Sequence, residues 1–238
     1  MNIETIKEGL QNINGEEAEQ LLRFRHSNPD KNGTMTTYSS DYGSDDYGRM
    51  RTQREFIKET INTAISKSNI ASSDLDFCLA GDLLNQCISS SFGVRDSNIP
   101  FLGVFGACST FVESMLIGSM IIDGGFGNKV ACASSSHFCS AEKQFRFPLE
   151  LGNQRPPSAQ WTVTGSGAVL LGKDGSKGVY IDKIHLGTIV DLGILDSNNM
   201  GAAMAPAAKK TIADFLNDTA TEPEDYDAIF TGDLGSVG

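Results

Sequence analysis

The stretch FGACSTF, residues 105–111, sets Cys108 where an apolar strand gives way to an apolar helix. At such a junction the free backbone N–H groups and the positive end of the helix dipole favour a thiolate. Gly106 and Ala107 leave room for a sharp turn and for a closely approaching ligand. The pattern is that of a nucleophile elbow with sulfur in place of oxygen. The alternative is a small apolar residue filling the core, the role that suits Cys78 and Cys132.

A second candidate, His137, follows ACASSS at the C-terminal end of its strand, the end at which open α/β sheets bind ligands. It could act as a base, as a hydrogen-bond donor, or as an ordinary loop histidine. AEKQFRFP then brings Glu142, Lys143, Gln144 and Arg146 together, with Arg155 nearby. Arginine forks bind carboxylates bidentately, so this cationic group points to an anionic ligand unless it is an ordinary solvated surface. His26 lies in a polar stretch and His185 in an expected strand, and no His–carboxylate pair has metal-ligand spacing. TGSGAVLLG lacks the Lys-Ser/Thr and following helix of a phosphate loop, so its glycines read as close packing at a strand start.

The elements that must position these residues alternate. Residues 1–50 form a polar arm, with one helix around Ile3–Phe24 and a long loop or disordered run over 26–48. Organised structure is expected from Gln53, where Phe56, Ile57, Thr60, Ile61, Ala64 and Ile65 share a helical face. Then come a strand at Asp76–Ala80, a strand IPFLGVFG, and a helix STFVESMLIGSMIIDGG that is apolar on nearly every side. Such a helix is normally buried between layers. Strands are expected at KVACASSS, TVTGSGAVLLG and GVYIDKIHLGTIV, and a helix from Pro206 to about Leu216. The order is that of an α/β fold with mostly parallel sheets.

The chain also repeats itself. DLDFCLAGDL, residues 74–83, returns 151 positions later as DYDAIFTGDL. The helix Gln53–Lys67 before the first copy corresponds at the same offset to Met204–Asp218 before the second. Duplication explains the identities in register, and it divides the chain into a first half at 51–178 and a second at 179–238.

The net charge of −11 with no offsetting basic cluster argues against nucleic acid and against adsorption to anionic lipid. No apolar run approaches membrane-spanning length, and MNIETIKEGL lacks a signal peptide's basic start and apolar core. Five cysteines, an odd count without close metal-type pairing, suit a reducing compartment.

Taken together, LAGDLLNQ, IPFLGVFGACST, DGGF, SSSHFCSAEKQFRFP, TVTGSGAV, DLGI, MGAAMAPAA and DYDAIFTGDLGSVG resemble the thiolase superfamily, and within it the stage V sporulation protein AD family. The likeness runs over residues 45–238; residues 1–44 do not share it. The resemblance implies a thiolase-like duplicated αβαβα fold and a sporulation role. It implies binding of dipicolinic acid (pyridine-2,6-dicarboxylate), loaded with calcium into the developing spore. It also implies peripheral attachment at the inner spore membrane through membrane-embedded partners of the same operon, a homodimer, and no resident cofactor. The ligand site implied gathers Cys108, Ser109, His137, Gln144, Arg146 and Thr164 with residues of a second half.

Cys108 matches the nucleophile position of degradative thiolases and ketoacyl synthases, whose chemistry also needs groups from the second half. Where the synthases resemble this chain near Gly232, a His is expected, and TGDL stands there instead. One general acid/base group is then missing, which favours a binding protein on an enzyme scaffold over an acyltransferase using Cys108. By symmetry about 85 further residues would complete the second half, so an incomplete unit or a non-functional gene fragment is the third reading. An uncovered inner face and poor stability of this chain alone are expected with it.

Overall fold

The computed structural model describes residues 27–29, 35–37, 46–137, 141, 160, 162–173, 178–196 and 198–235. The helix expected over Ile3–Phe24, and His26, lie outside them. The chain falls into two units, one of residues 1–141 with 162–179 and one of 142–161 with 180–238.

In the first unit, the arm contributes two short antiparallel strands, β1 (Ser27–Pro29) and β2 (Met35–Thr37). Helix α1 (Asp46–Lys67) begins seven residues before Gln53. Strand β3 (Phe77–Asp82), helix α2 (Ile88–Val94), strand β4 (Phe101–Gly103), helix α3 (Thr110–Asp123), strand β5 (Lys129–Ser136) and strand β6 (Gly165–Gly172) follow. The sheet order is β4-β3-β5-β6. β3 runs parallel to β4 and β5, whereas β6 turns back antiparallel to β5. The sheet is therefore mixed, and its antiparallel strand is the one that carries TGSGAVLLG.

Strand alternation decides which helix each side chain meets. Cys78, Ala80, Ala131 and Ala133 pack with Ile57, Ile61 and Ile65 of α1 on one face. Leu79, Val130 and Cys132 pack with Met115, Ile117, Ile121 and Ile122 of α3 on the other. Burial pushes the Cys78 and Cys132 thiols up to about 12, so both stay neutral core residues. Helix α3 turns its small positions, Thr110, Ser114 and Gly118, inward as its buried residues. Val112 and Met120 are exposed, so among the described residues this helix is covered on one side only.

The second unit contains helix α4 (Met200–Thr219), six residues longer at its start than the Pro206 signal indicates. Asn199 caps it by accepting from the Ala202 N–H at 3.2 Å. Pro206 sits inside, at the cost of one intrahelical bond. The strand expected at GVYIDKIHLGTIV does not form a ladder. Val179, Leu186 and Ile189 are exposed along it, and a strand without a neighbour leaves both its peptide groups and its apolar side chains in water.

Candidate functional site

The first unit has a hollow of about 230 Å³ at the C-terminal ends of its parallel strands. Its wall is built by Leu83 after β3, by Ala107, Cys108, Thr110 and Phe111 at the start of α3, by Ser134–Ser136 of β5, and by Gly165–Gly167 of β6. None of these residues carries a charge.

The Cys108 corner has the expected shape. After β4 the backbone passes Gly106 into a single 3-10 turn, Ala107–Ser109, that runs on into α3. Ala107 is held at φ +50, a left-handed conformation that a residue with a Cβ adopts at a cost. Cys108 is exposed. The turn is tied by its own side chains: the Gly106 N–H donates to Thr110 Oγ1 at 3.1 Å, and Thr110 Oγ1 donates to the Ala107 carbonyl at 2.8 Å. Ser109 Oγ donates to the Gly106 carbonyl at 2.8 Å. A Cβ on Gly106 would come within 2.4 Å of Ser109 Oγ and 2.7 Å of Glu113 Oε2, so a larger residue there must displace those two side-chain ends. Glu113 Oε2 is itself buried and has no hydrogen-bond partner among the described residues.

Behind the wall, next to Leu83 and bonded to Ser135, stands Asp82, which belongs to the repeated phrase. It ends β3 at 6% exposure. Asp82 accepts from the Ser89 N–H at 2.9 Å and Ser90 Oγ at 2.6 Å, which caps α2. It also accepts from Ser135 Oγ at 2.9 Å, which ties β5 to the same carboxylate. Burial pushes the nearby Cys87 thiol up, and the charges of Asp82 and Glu113 add to that.

The site residues expected from sequence are distributed unevenly. Cys108 lines the hollow, and Ser109 adjoins it in the turn. His137 is buried directly after β5, its carbonyl accepting from the Ala141 N–H at 3.0 Å, and it is not part of the hollow's wall. Thr164 is buried one residue before β6 and likewise stands outside the wall. Gln144, Arg146 and Arg155 lie outside the described residues. Among the described residues no group of His, Cys, Asp and Glu could hold a metal ion. The close packing expected at the glycines of TGSGAVLLG is absent at Gly167, where a Cβ would meet nothing within 4 Å, and at Gly165, where it would meet only Val163 Cγ1 at 3.9 Å. The hollow also takes in Ser134, Ser166 and Gly167, which are not among the expected site residues. Their signal was a set of small residues, SSS and GSG, on two strands whose antiparallel pairing a single sequence does not reveal.

Known proteins fit this architecture. The description of the stage V sporulation protein AD family matches residues 31–238, taking in a stretch, 31–44, that shows no evident likeness by motif. Stage V sporulation protein AD of Bacillus subtilis strain 168 is 45% identical over 186 residues, 78% of this chain and 55% of the relative. This chain thus spans little more than half the length of that protein. Among solved structures, a tetronic acid condensing enzyme superposes with a TM-score of 0.50 at 13% identity, over 73% of this chain and 60% of its own. The 3-oxoacyl-(acyl carrier protein) synthase III of Pseudomonas aeruginosa PAO1 does so with 0.50 at 10% identity, over 73% and 58%. These two likenesses show a thiolase-like fold. By the extent of the family match and the identity to the Bacillus protein, the chain belongs to the stage V sporulation protein AD family.

Proposed function

We propose that this chain is the ligand-binding part of a sporulation protein that takes up dipicolinic acid into the developing spore, on a thiolase scaffold that does not carry out condensation. The observation that carries the reading is the hollow beside Cys108, about 230 Å³ and uncharged, in a chain of this family. Such a volume suits a single-ring ligand, and Gln144 and Arg146, which follow β5 in sequence, supply the donors a carboxylate needs. Calcium accompanies the ligand in this reading. The protein works at the inner spore membrane with membrane-embedded partners of its operon, and as a homodimer. It needs no spanning helix of its own, and among the described residues none is long and apolar enough to cross a membrane.

Titration calorimetry with dipicolinate tests the reading. The chain is expected to bind it, and Arg146→Ala to weaken binding about tenfold, the cost of one charge-assisted hydrogen bond. Equal affinity of the variant removes Arg146 from the site, and no binding by the wild-type chain removes the ligand.

A second reading, an acyltransferase, is favoured by the exposed Cys108 on its left-handed turn. It requires an acyl adduct on Cys108 after incubation with coenzyme A thioesters, read by mass spectrometry. The binding reading expects none.

A further inference from the structure

One row of residues crosses the sheet where the hollow meets it. β3, β5 and β6 are in register at Gly81, Ser134 and Gly167. The alternation that turns Leu79, Cys132 and Val169 towards α3 brings these three to the same face. Two of the three have no side chain, so Ser134 stands alone in its row. The two glycines differ in what surrounds them. At Gly81 the space is filled, since a Cβ would come within 2.0 Å of the Val104 carbonyl oxygen. At Gly167 it is open, since a Cβ would meet nothing within 4 Å. The Ser134 hydroxyl therefore borders an empty lane inside the hollow.

The neighbouring hydroxyls are committed to the protein. Ser135 Oγ donates to Asp82 Oδ1 at 2.9 Å, Ser166 Oγ to the Ser134 carbonyl at 3.1 Å, and Ser136 Oγ to the Val163 carbonyl. Thr110 Oγ1 donates to the Ala107 carbonyl at 2.8 Å. A carbonyl or carboxylate can only accept, so each of these hydroxyl protons is directed away from any ligand. The Ser134 hydroxyl makes no hydrogen bond among the described residues; its backbone carbonyl is what Ser166 engages. Of the serines that line the hollow, it alone has a hydroxyl proton not engaged among the described residues.

We propose that Ser134 is the hydroxyl donor of this site: its Oγ–H meets a carboxylate oxygen of a planar aromatic acid whose ring occupies the lane over Gly167. The proposal rests on the ligand reading above in taking the ligand to be an aromatic carboxylate, and it assigns which residues hold it. Ser135, despite sitting next to Ser134 in the same wall, is a structural partner of Asp82.

The test titrates the whole 238-residue chain with dipicolinate and with isophthalate, which has the same two carboxylates on a ring without nitrogen. Ser134→Ala should bind about tenfold more weakly, as expected for a lost hydrogen bond to a charged group. Its melting temperature should not change, because the free protein loses no bond. Gly167→Ala should fold as well as wild type and also bind more weakly, because its methyl group enters the lane. Ser135→Ala should do the opposite, lowering the melting temperature while changing affinity less than Ser134→Ala does. If dipicolinate binds equally to wild type, Ser134→Ala and Gly167→Ala, the assignment is overturned and the ligand reading survives. If only isophthalate binds, and Ser134→Ala weakens it, the assignment holds and dipicolinate is the wrong acid. A loss of stability in Ser134→Ala equal to that in Ser135→Ala overturns the assignment, as does failure of both acids to bind, which overturns the ligand reading too.

Discussion

The two copies of the repeated phrase agree in everything local and disagree in everything that needs a distant partner. Each follows a long helix, and each helix is left through a residue in the left-handed region, Asn69 at φ 52 and Ala220 at φ 52. Each then makes a one-turn 3-10 helix at the same offset, Ser72–Asp74 and Pro223–Asp225. Each turn is closed by the same aspartate, Asp74 Oδ2 accepting from the Ala71 N–H at 3.2 Å and Asp225 Oδ2 from the Glu222 N–H at 2.9 Å. Beyond that point they part. The first copy becomes β3, with β4 on one side and β5 on the other. The second has no ladder partner among the described residues and is not a strand. Cys78 and Leu79 are fully buried, whereas their counterparts Ile229 and Phe230 are 48% and 92% exposed. Turns and caps are settled by a few adjacent residues, while a strand is settled by its neighbours.

Paired substitutions at equivalent positions should reproduce this contrast. The widest separation is expected in the core. Leu79→Ala should cost about 2–5 kcal/mol in a denaturant melt, the range for a buried leucine. Phe230→Ala should stay within about 0.5 kcal/mol, as for an exposed site. Comparable losses would show that the second copy is packed after all.

A smaller separation is expected at the second aspartate of the phrase. Asp76 accepts from the Asn128 and Lys129 N–H groups at 2.7 and 3.0 Å, joining β3 to the start of β5. The Asn128 bond first, then the Lys129 bond, holds its carboxyl below the usual value of 3.8. A lowered value means that the ionised form stabilises the fold above about pH 4, and that this contribution is lost as pH falls through the folded-state value. Asp76→Asn should therefore lower the melting temperature at pH 7 and matter progressively less as pH falls below the usual carboxylate range. Asp227→Asn, with no such contact among the described residues, should be neutral throughout.

The smallest difference should lie at the caps, where the copies share the turn and differ by one exposed ion pair, Lys129 Nζ to Asp74 Oδ2 at 3.5 Å, which adds little. Asp74→Ala and Asp225→Ala should each cost about 1 kcal/mol or less, read by exchange of the Ala71 and Glu222 amides. Unequal effects there would break the claim that the local structure is shared.

The same division explains which features could be read from the residues alone. The α1 face formed by Ile57, Ile61 and Ile65 and the Cys108 corner are written in short-range periodicity and turn chemistry, and both are present. The strand expected at GVYIDKIHLGTIV has the right composition, but composition does not supply a neighbour. The antiparallel β6 was hidden for a related reason, since register and direction depend on a strand 29 residues away along the chain, from Ser136 to Gly165. With that pairing unknown, the row Gly81, Ser134 and Gly167 could not be assembled, nor could Ser134 be told apart from Ser135.

Asp82 adds a statement about time. Its bonds to Ser89 and Ser90 span seven and eight residues, whereas its bond to Ser135 spans 53. Short loops close first, because the entropy lost on closure grows with the length enclosed. The carboxylate can therefore cap α2 while β5 is still unplaced, with water filling the remaining valence. The arrival of Ser135 completes its coordination and, in the same step, sets Ser134 in its row. In the refolding chain, the hollow beside Cys108 should be among the last parts of the first unit to acquire its final form.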